Sequence, residues 1–156
     1  MKRNIIKVIL LSSPILFATA SAFISNPASA QAMSTGESIE VAQSSVSVLA
    51  SGQFTTVEQE KPTAGTARIV EENGQRYLEF DAAFTTANGP DVEVVFHRDS
   101  VVPVNLDEAD YVTLAPLQSF DGAQRYVIPA DMDLSVFNSV AIWCAEFNVT
   151  FGYAAL

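Results

Sequence analysis

Residues 66–80 read TARIVEENGQRYLEF, and this stretch decides the fold. Asn73-Gly74 is the dipeptide that a two-residue type I′ hairpin prefers, because both central residues need φ > 0. Folding the chain there sets Ile69 against Leu78 and Ala67 against Phe80. The same register places Arg68 opposite Glu79 and Glu71 opposite Arg76, two pairs of opposite charge. A slip of one residue loses all of these pairings.

The period of two continues outward from the hairpin. DVEVVFHR alternates Val92, Val94 and Phe96 with Glu93, Val95 and His97. YVTLAPL is stopped by Pro116 and RYVI by Pro129. The intervening NGPD, VNLDEAD and SFDGAQ carry turn residues. ADMDLSVFN has capping residues but is too short for more than a helical turn. These segments predict an all-β fold, an antiparallel β-sandwich of roughly seven to nine short strands with no substantial helix.

The closing stretch SVAIWCAEFNVTFGYAAL, residues 139–156, holds the only cysteine, Cys144, beside the only tryptophan, Trp143. Taken as one continuous strand, Trp143, Phe147, Val149 and Phe151 share an apolar, core-facing side. Cys144, Glu146 and Asn148 then share the opposite side, which makes the thiol reachable. A turn or bulge at Ala145-Glu146 would void this parity.

At the other end, MKRNIIK precedes the apolar run VILLSSPILFATASAFI, and Ala28-Ser29-Ala30 offers a cleavage site before Gln31. That order predicts a signal peptide over 1–30, hence an exported protein, periplasmic or extracellular, with no stable membrane insertion after cleavage. Pro14 and the Ala-Ser-Ala site speak against an uncleaved anchor. Residues 31–50, rich in Ser, Thr and Gln, read as a flexible linker, with a short strand allowed in SVSVLA. The folded domain is expected over 51–156. Cleavage removes Lys2, Arg3 and Lys7 and none of the 18 acidic residues, so the remaining five cations leave a net charge of −13. Such a surface repels phosphate backbones and anionic lipids, so nucleic acid is excluded as a partner.

Elimination narrows the chemistry. One cysteine makes no internal disulfide, C-x-x-C pair or four-thiolate cluster. With one histidine, His97, the chain lacks the ligands of a blue-copper or zinc centre. There is no G-x-S-x-G and no glycine-rich phosphate loop. Asp131 and Asp133, as D-x-D, read as an acidic turn rather than a calcium site. Asn148-Val149-Thr150 matches a glycosylation acceptor but lies in a predicted strand. What survives is a single thiol, either a redox thiol or one ligand of a prosthetic group. Glu146 beside it, with Trp143 as its other neighbour, would oppose ionisation and favour the ligand role. His97 is a weak second-ligand candidate.

The domain resembles the DM-thirteen family of exported electron-transfer domains. The resemblance runs through Gly52, Phe54, Gly65-Thr66-Ala67 and Tyr77-Leu78 to Asn88-Gly89-Pro90-Asp91. It continues through Gly122, Gln124, Tyr126, Ile128-Pro129, Ile142-Trp143-Cys144, Phe147, Val149, Phe151-Gly152, Ala154 and Leu156. It implies a β-sandwich related to DOMON domains, with Cys144 as redox thiol or as holder of a group such as haem. Lys61 departs from the family, where histidine is common before the Gly65 segment. The implied function is electron transfer through Cys144, with an unidentified redox partner or small ligand. The alternative is a non-catalytic binding or adhesion module in which Cys144 only packs. A redox or binding domain is better supported than a turnover enzyme, and a hydrolase or transferase has no support.

The export reading has a direct check. Intact-mass measurement of exported protein is expected to show a chain starting at Gln31, whereas Met1 retained in the membrane fraction would favour the anchor.

Overall fold

The computed structural model describes residues 45–156. Residues 1–30, read as a signal peptide, and 31–44 of the stretch read as a linker lie outside the described residues. Among the described residues eight strands form: β1 Val46–Thr56, β2 Thr66–Glu72, β3 Gln75–Phe80, β4 Val92–His97, β5 Tyr111–Pro116, β6 Gln124–Val127, β7 Ser139–Cys144 and β8 Val149–Ala155. The described helical structure is one 3-10 turn, Leu134–Val136, whose N-terminus is capped by Asp133. β1 begins at Val46 and so takes up the last residues of the stretch read as linker, where SVSVLA alternates.

Every pairing is antiparallel, and the strand order is β5-β4-β7-β8-β1-β2-β3-β6. β1 changes partners along its length: Val46–Gln53 pairs with β2, and Phe54–Thr56 pairs with β8. One long strand therefore joins a front sheet (β1-β2-β3-β6) to a back sheet (β5-β4-β7-β8). Gly52 sits at this crossover, where a Cβ would run into the Ala155 carbonyl.

The hairpin forms in the expected register, with Ala67↔Phe80, Arg68↔Glu79, Ile69↔Leu78 and Glu71↔Arg76. Asn73 and Gly74 both take positive φ, 52° and 79°. Of the two expected charge pairs, Arg68 bonds Glu79 at 3.2 Å. Arg76 instead donates to the carbonyls of Pro129, Ala130 and Met132, which ties the hairpin to the segment before the 3-10 turn.

The main core lies between the sheets. Ala67, Ile69, Leu78 and Phe80 from the front meet Val92, Val94, Phe96, Val140, Ile142 and Phe151 from the back. Phe54, Phe80 and Phe84 form an aromatic knot, with centroids 4.6–5.3 Å apart. A second, smaller core lies on the outer face of the back sheet, made by Val95, Ala141, Trp143, Val102 and Leu106. The loop 98–110 provides Val102 and Leu106, and it buries a face that a lone sheet would leave wet.

The two glycines separate two physical causes. At Gly74 a Cβ meets nothing, so Gly74→Ala is expected to cost only the left-handed backbone penalty, about 1–2 kcal/mol. Gly52→Ala forces β1 away from β8 and is expected to lower the urea midpoint several-fold more than Gly74→Ala.

Candidate functional site

Cys144 is the last residue of β7, paired with Val92 of β4 and Val149 of β8. Its even-numbered companions Val140 and Ile142 face the main core, and Cys144 faces it with them, at 1% exposure. The continuous-strand reading of 139–156 placed the thiol on the wrong side. A turn spans residues 145–148 and breaks the strand there, so the parity taken from Phe147, Val149 and Phe151 does not carry back to residue 144. Val149 and Phe151 do face the core, while Phe147, expected inside, rides the turn at 61% exposure.

The segment Asn88–Asp91 covers the sulfur. Cys144 Sγ donates to the Pro90 carbonyl at 2.9 Å, and the Ala145 N–H donates to the Asp91 carbonyl at 2.9 Å. The positive φ of this turn falls on Asp91, at 48°, rather than on Gly89. Gly89 serves a different need: a Cβ there would come within 2.8 Å of the Phe151 ring and 3.1 Å of Val92. Glycine thus lets the cover lie flat on the aromatic floor.

Beside Cys144 is a cavity of about 290 Å³. Cys144, Gly89, Pro90, Val149 and Phe151 line it, Phe147 overhangs it, and Glu58, Glu60 and Lys61 border it. Lys61 Nζ lies 5.5 Å from the Phe151 ring centroid and 3.5 Å from the Asn88 carbonyl. The residue noted only as a departure from the family pattern therefore shares the cavity of the thiol. Nothing in the sequence spacing, 83 residues apart, linked Lys61 to Cys144.

The other candidates separate from this site. Trp143 points to the opposite face, as adjacent strand residues must. There its ring packs on Tyr111 (centroids 5.0 Å), and its Nε1 donates to Asn148 Oδ1 at 3.0 Å. Burial, followed by the nearby Glu108 and Glu93, pushes the Tyr111 phenol pKa up. Glu146 is exposed in the turn and is not a same-face neighbour of the thiol, so its expected opposition to ionisation has no geometric basis. His97, expected on a polar strand face, is buried at 1%, because the loop 98–110 covers that face. Its Nδ1 accepts the Asp99 N–H at 3.0 Å. It pairs with Ser139, whereas Cys144 pairs with Val92. Five residues of strand, roughly 17 Å, therefore separate the two, and His97 is no second ligand for Cys144.

One residue escaped the sequence reading. Asn148, read as a glycosylation acceptor and as a same-face neighbour of Cys144, instead sits in the turn with φ 49°. Its Oδ1 accepts from Trp143 and Leu106, and its Nδ2 donates to the Leu106 carbonyl. It ties the β7–β8 turn to the loop 98–110. Its preference for the left-handed region was the available signal.

The residues around the thiol do not fit haem. The sulfur already bonds a carbonyl, the cavity lining offers no histidine or methionine, and the space is at the lower limit of small-ligand pockets, about 300 Å³. Among the described residues no group of three His, Cys, Asp or Glu is disposed to hold a metal ion. No described helix is long and apolar enough to cross a membrane.

The family model described as "Electron transfer DM13" matches residues 53–156. No curated protein and no solved structure matches the chain. The match spans two thirds of the sequence, and the chain belongs to the DM13 electron-transfer family.

Burial of the sulfur sets its reactivity. A bulky aromatic disulfide reagent is expected to label Cys144 slowly in the folded protein and at once in urea, because labelling waits on opening of the 88–91 cover. Equal rates in the two states would contradict the burial.

Proposed function

We propose that Cys144 is the redox centre of this electron-transfer domain and works outside the cytoplasm as a thiol served by the cavity beside it. The observation that carries this reading is that Cys144 lines a cavity of about 290 Å³, in a chain with no other cysteine. A packing cysteine needs no such space. The ligand version loses its support with the displacement of Glu146 and the distance of His97.

A lone thiol exchanges a pair of electrons only with a partner atom from outside. With a low-molecular-mass disulfide, Sγ forms one S–S bond while the partner's S–S bond breaks, and the thiol proton leaves on the departing sulfur. A second external thiol reverses the step. The Pro90 carbonyl holds the S–H in place beforehand, and Phe151, Val149 and Gly89 restrict the cavity to small partners. The Lys61 ammonium lies over the Phe151 wall, a cation at the entrance of an otherwise acidic surface.

The test combines a spectrum with a mass. Natively purified protein is expected to show no visible absorption band. Treated with cystamine, it is expected to gain one adduct at Cys144 that dithiothreitol removes, and Cys144→Ser is expected to gain none. A visible band lost in Cys144→Ser would reinstate the prosthetic-group reading. No adduct in folded protein, with only a small stability change in Cys144→Ala, would leave the thiol a packing residue.

A further inference from the structure

The other end of the sandwich carries a second cavity, of about 300 Å³, that the thiol does not share. It opens where the front and back sheets separate beside the 3-10 turn. Ile69 and Phe96, 4% and 0% exposed, form its floor, so it reaches into the main core. Leu49, Leu134 and Phe137 form its walls. An apolar cavity of about 150 Å³ already accepts benzene, so this one holds a ring with a substituent.

One charged group shares the space. Arg76 lies on the same strand face as Leu78 and Phe80 and lines the cavity. Its Nη2 donates to three carbonyls, of Pro129, Ala130 and Met132. Among the described residues no bond leaves from Nε or Nη1. Two carboxylates stand near it. Glu71 is directly across the hairpin without an ion pair, and Asp133 has its Oδ1 taken by the Ser135 N–H and hydroxyl. Their charges beside Arg76 would repel an incoming anion. A neutral oxygen acceptor meets only the donors.

We propose that this cavity is a binding site for a small neutral aromatic molecule bearing a hydrogen-bond-accepting oxygen, with the ring on Ile69 and Phe96 and the oxygen at the Arg76 guanidinium. The site stands apart from Cys144 and does not depend on its role. It gives the domain a place for a small-molecule ligand distinct from the redox cavity.

The test uses isotope-labelled protein and three monocyclic probes: acetophenone, toluene and benzoate. Acetophenone is expected to shift the NMR signals of Ile69, Leu134 and Phe137 while leaving Val149 beside the thiol unmoved. Its affinity is expected to be about tenfold above that of toluene, the effect of one bond from a charged donor, and above that of benzoate. Arg76→Met is expected to erase the preference over toluene. Because Arg76 also holds the 129–132 segment, two filling variants test the cavity without touching it. Ala50→Phe fills it from β1, and Leu134→Trp fills it from outside the sheets; each is expected to abolish binding. Equal affinity for the three probes, tighter binding of benzoate, shifts centred on Val149, or binding unchanged in both filling variants would each overturn the proposal.

Discussion

The architecture depends on the change of partner within β1. Up to Gln53 the strand belongs to the front sheet, and from Phe54 it belongs to the back sheet. That switch requires close backbone approach to the end of β8, and Gly52 supplies it by having no side chain to place there. Phe54, immediately after the crossover, turns its ring into the knot with Phe80 and Phe84. The two sheets are thereby held face to face, and Leu78 and Phe80 of β3 share one core with Val92, Val94 and Phe96 of β4 and Val140, Ile142 and Cys144 of β7. Without the crossover no strand would join the two sheets, and each would lack the link that holds its apolar face against the other.

The back sheet has apolar content on both faces, and this explains most of what the sequence did and did not make legible. Where one face is core and the other solvent, alternation reports orientation, as in TARIVEENGQRYLEF. Strand existence, the hairpin register and the inward set Val92, Val94 and Phe96 were all readable on that ground. In β7 every residue is buried, so SVAIWC carries no polar phase to show which side is which. The phase had to be borrowed from residues 147–151, and the intervening turn severs it. His97 and Trp143 were misplaced because the segment that covers their face, 98–110, is rich in turn residues and reads only as a loop.

The thiol site shows a related limit. Cys144 was identifiable because it is the only cysteine, a property of the whole sequence. Its surroundings were not. Lys61, Gly89 and Phe151 converge on it from three separate segments through strand pairing that no local pattern encodes. Asn88-Gly89-Pro90-Asp91 was readable as turn chemistry, but that its Pro90 carbonyl accepts a hydrogen bond from the thiol follows only from the register of β4 against β7.

Trp143 is the only indole in the chain, and it is clamped between Tyr111 and the Asn148 hub on the face away from the thiol. Its fluorescence therefore observes the outer core and the seating of the loop 98–110. The cover over Cys144 lies on the opposite side of the same strand, one residue away. The domain thus contains an optical reporter that is adjacent to the thiol in sequence yet views a different interior. Loosening of the loop and opening of the thiol cover can be followed as separate events in a single sample, one by emission and the other by the rate of sulfur labelling.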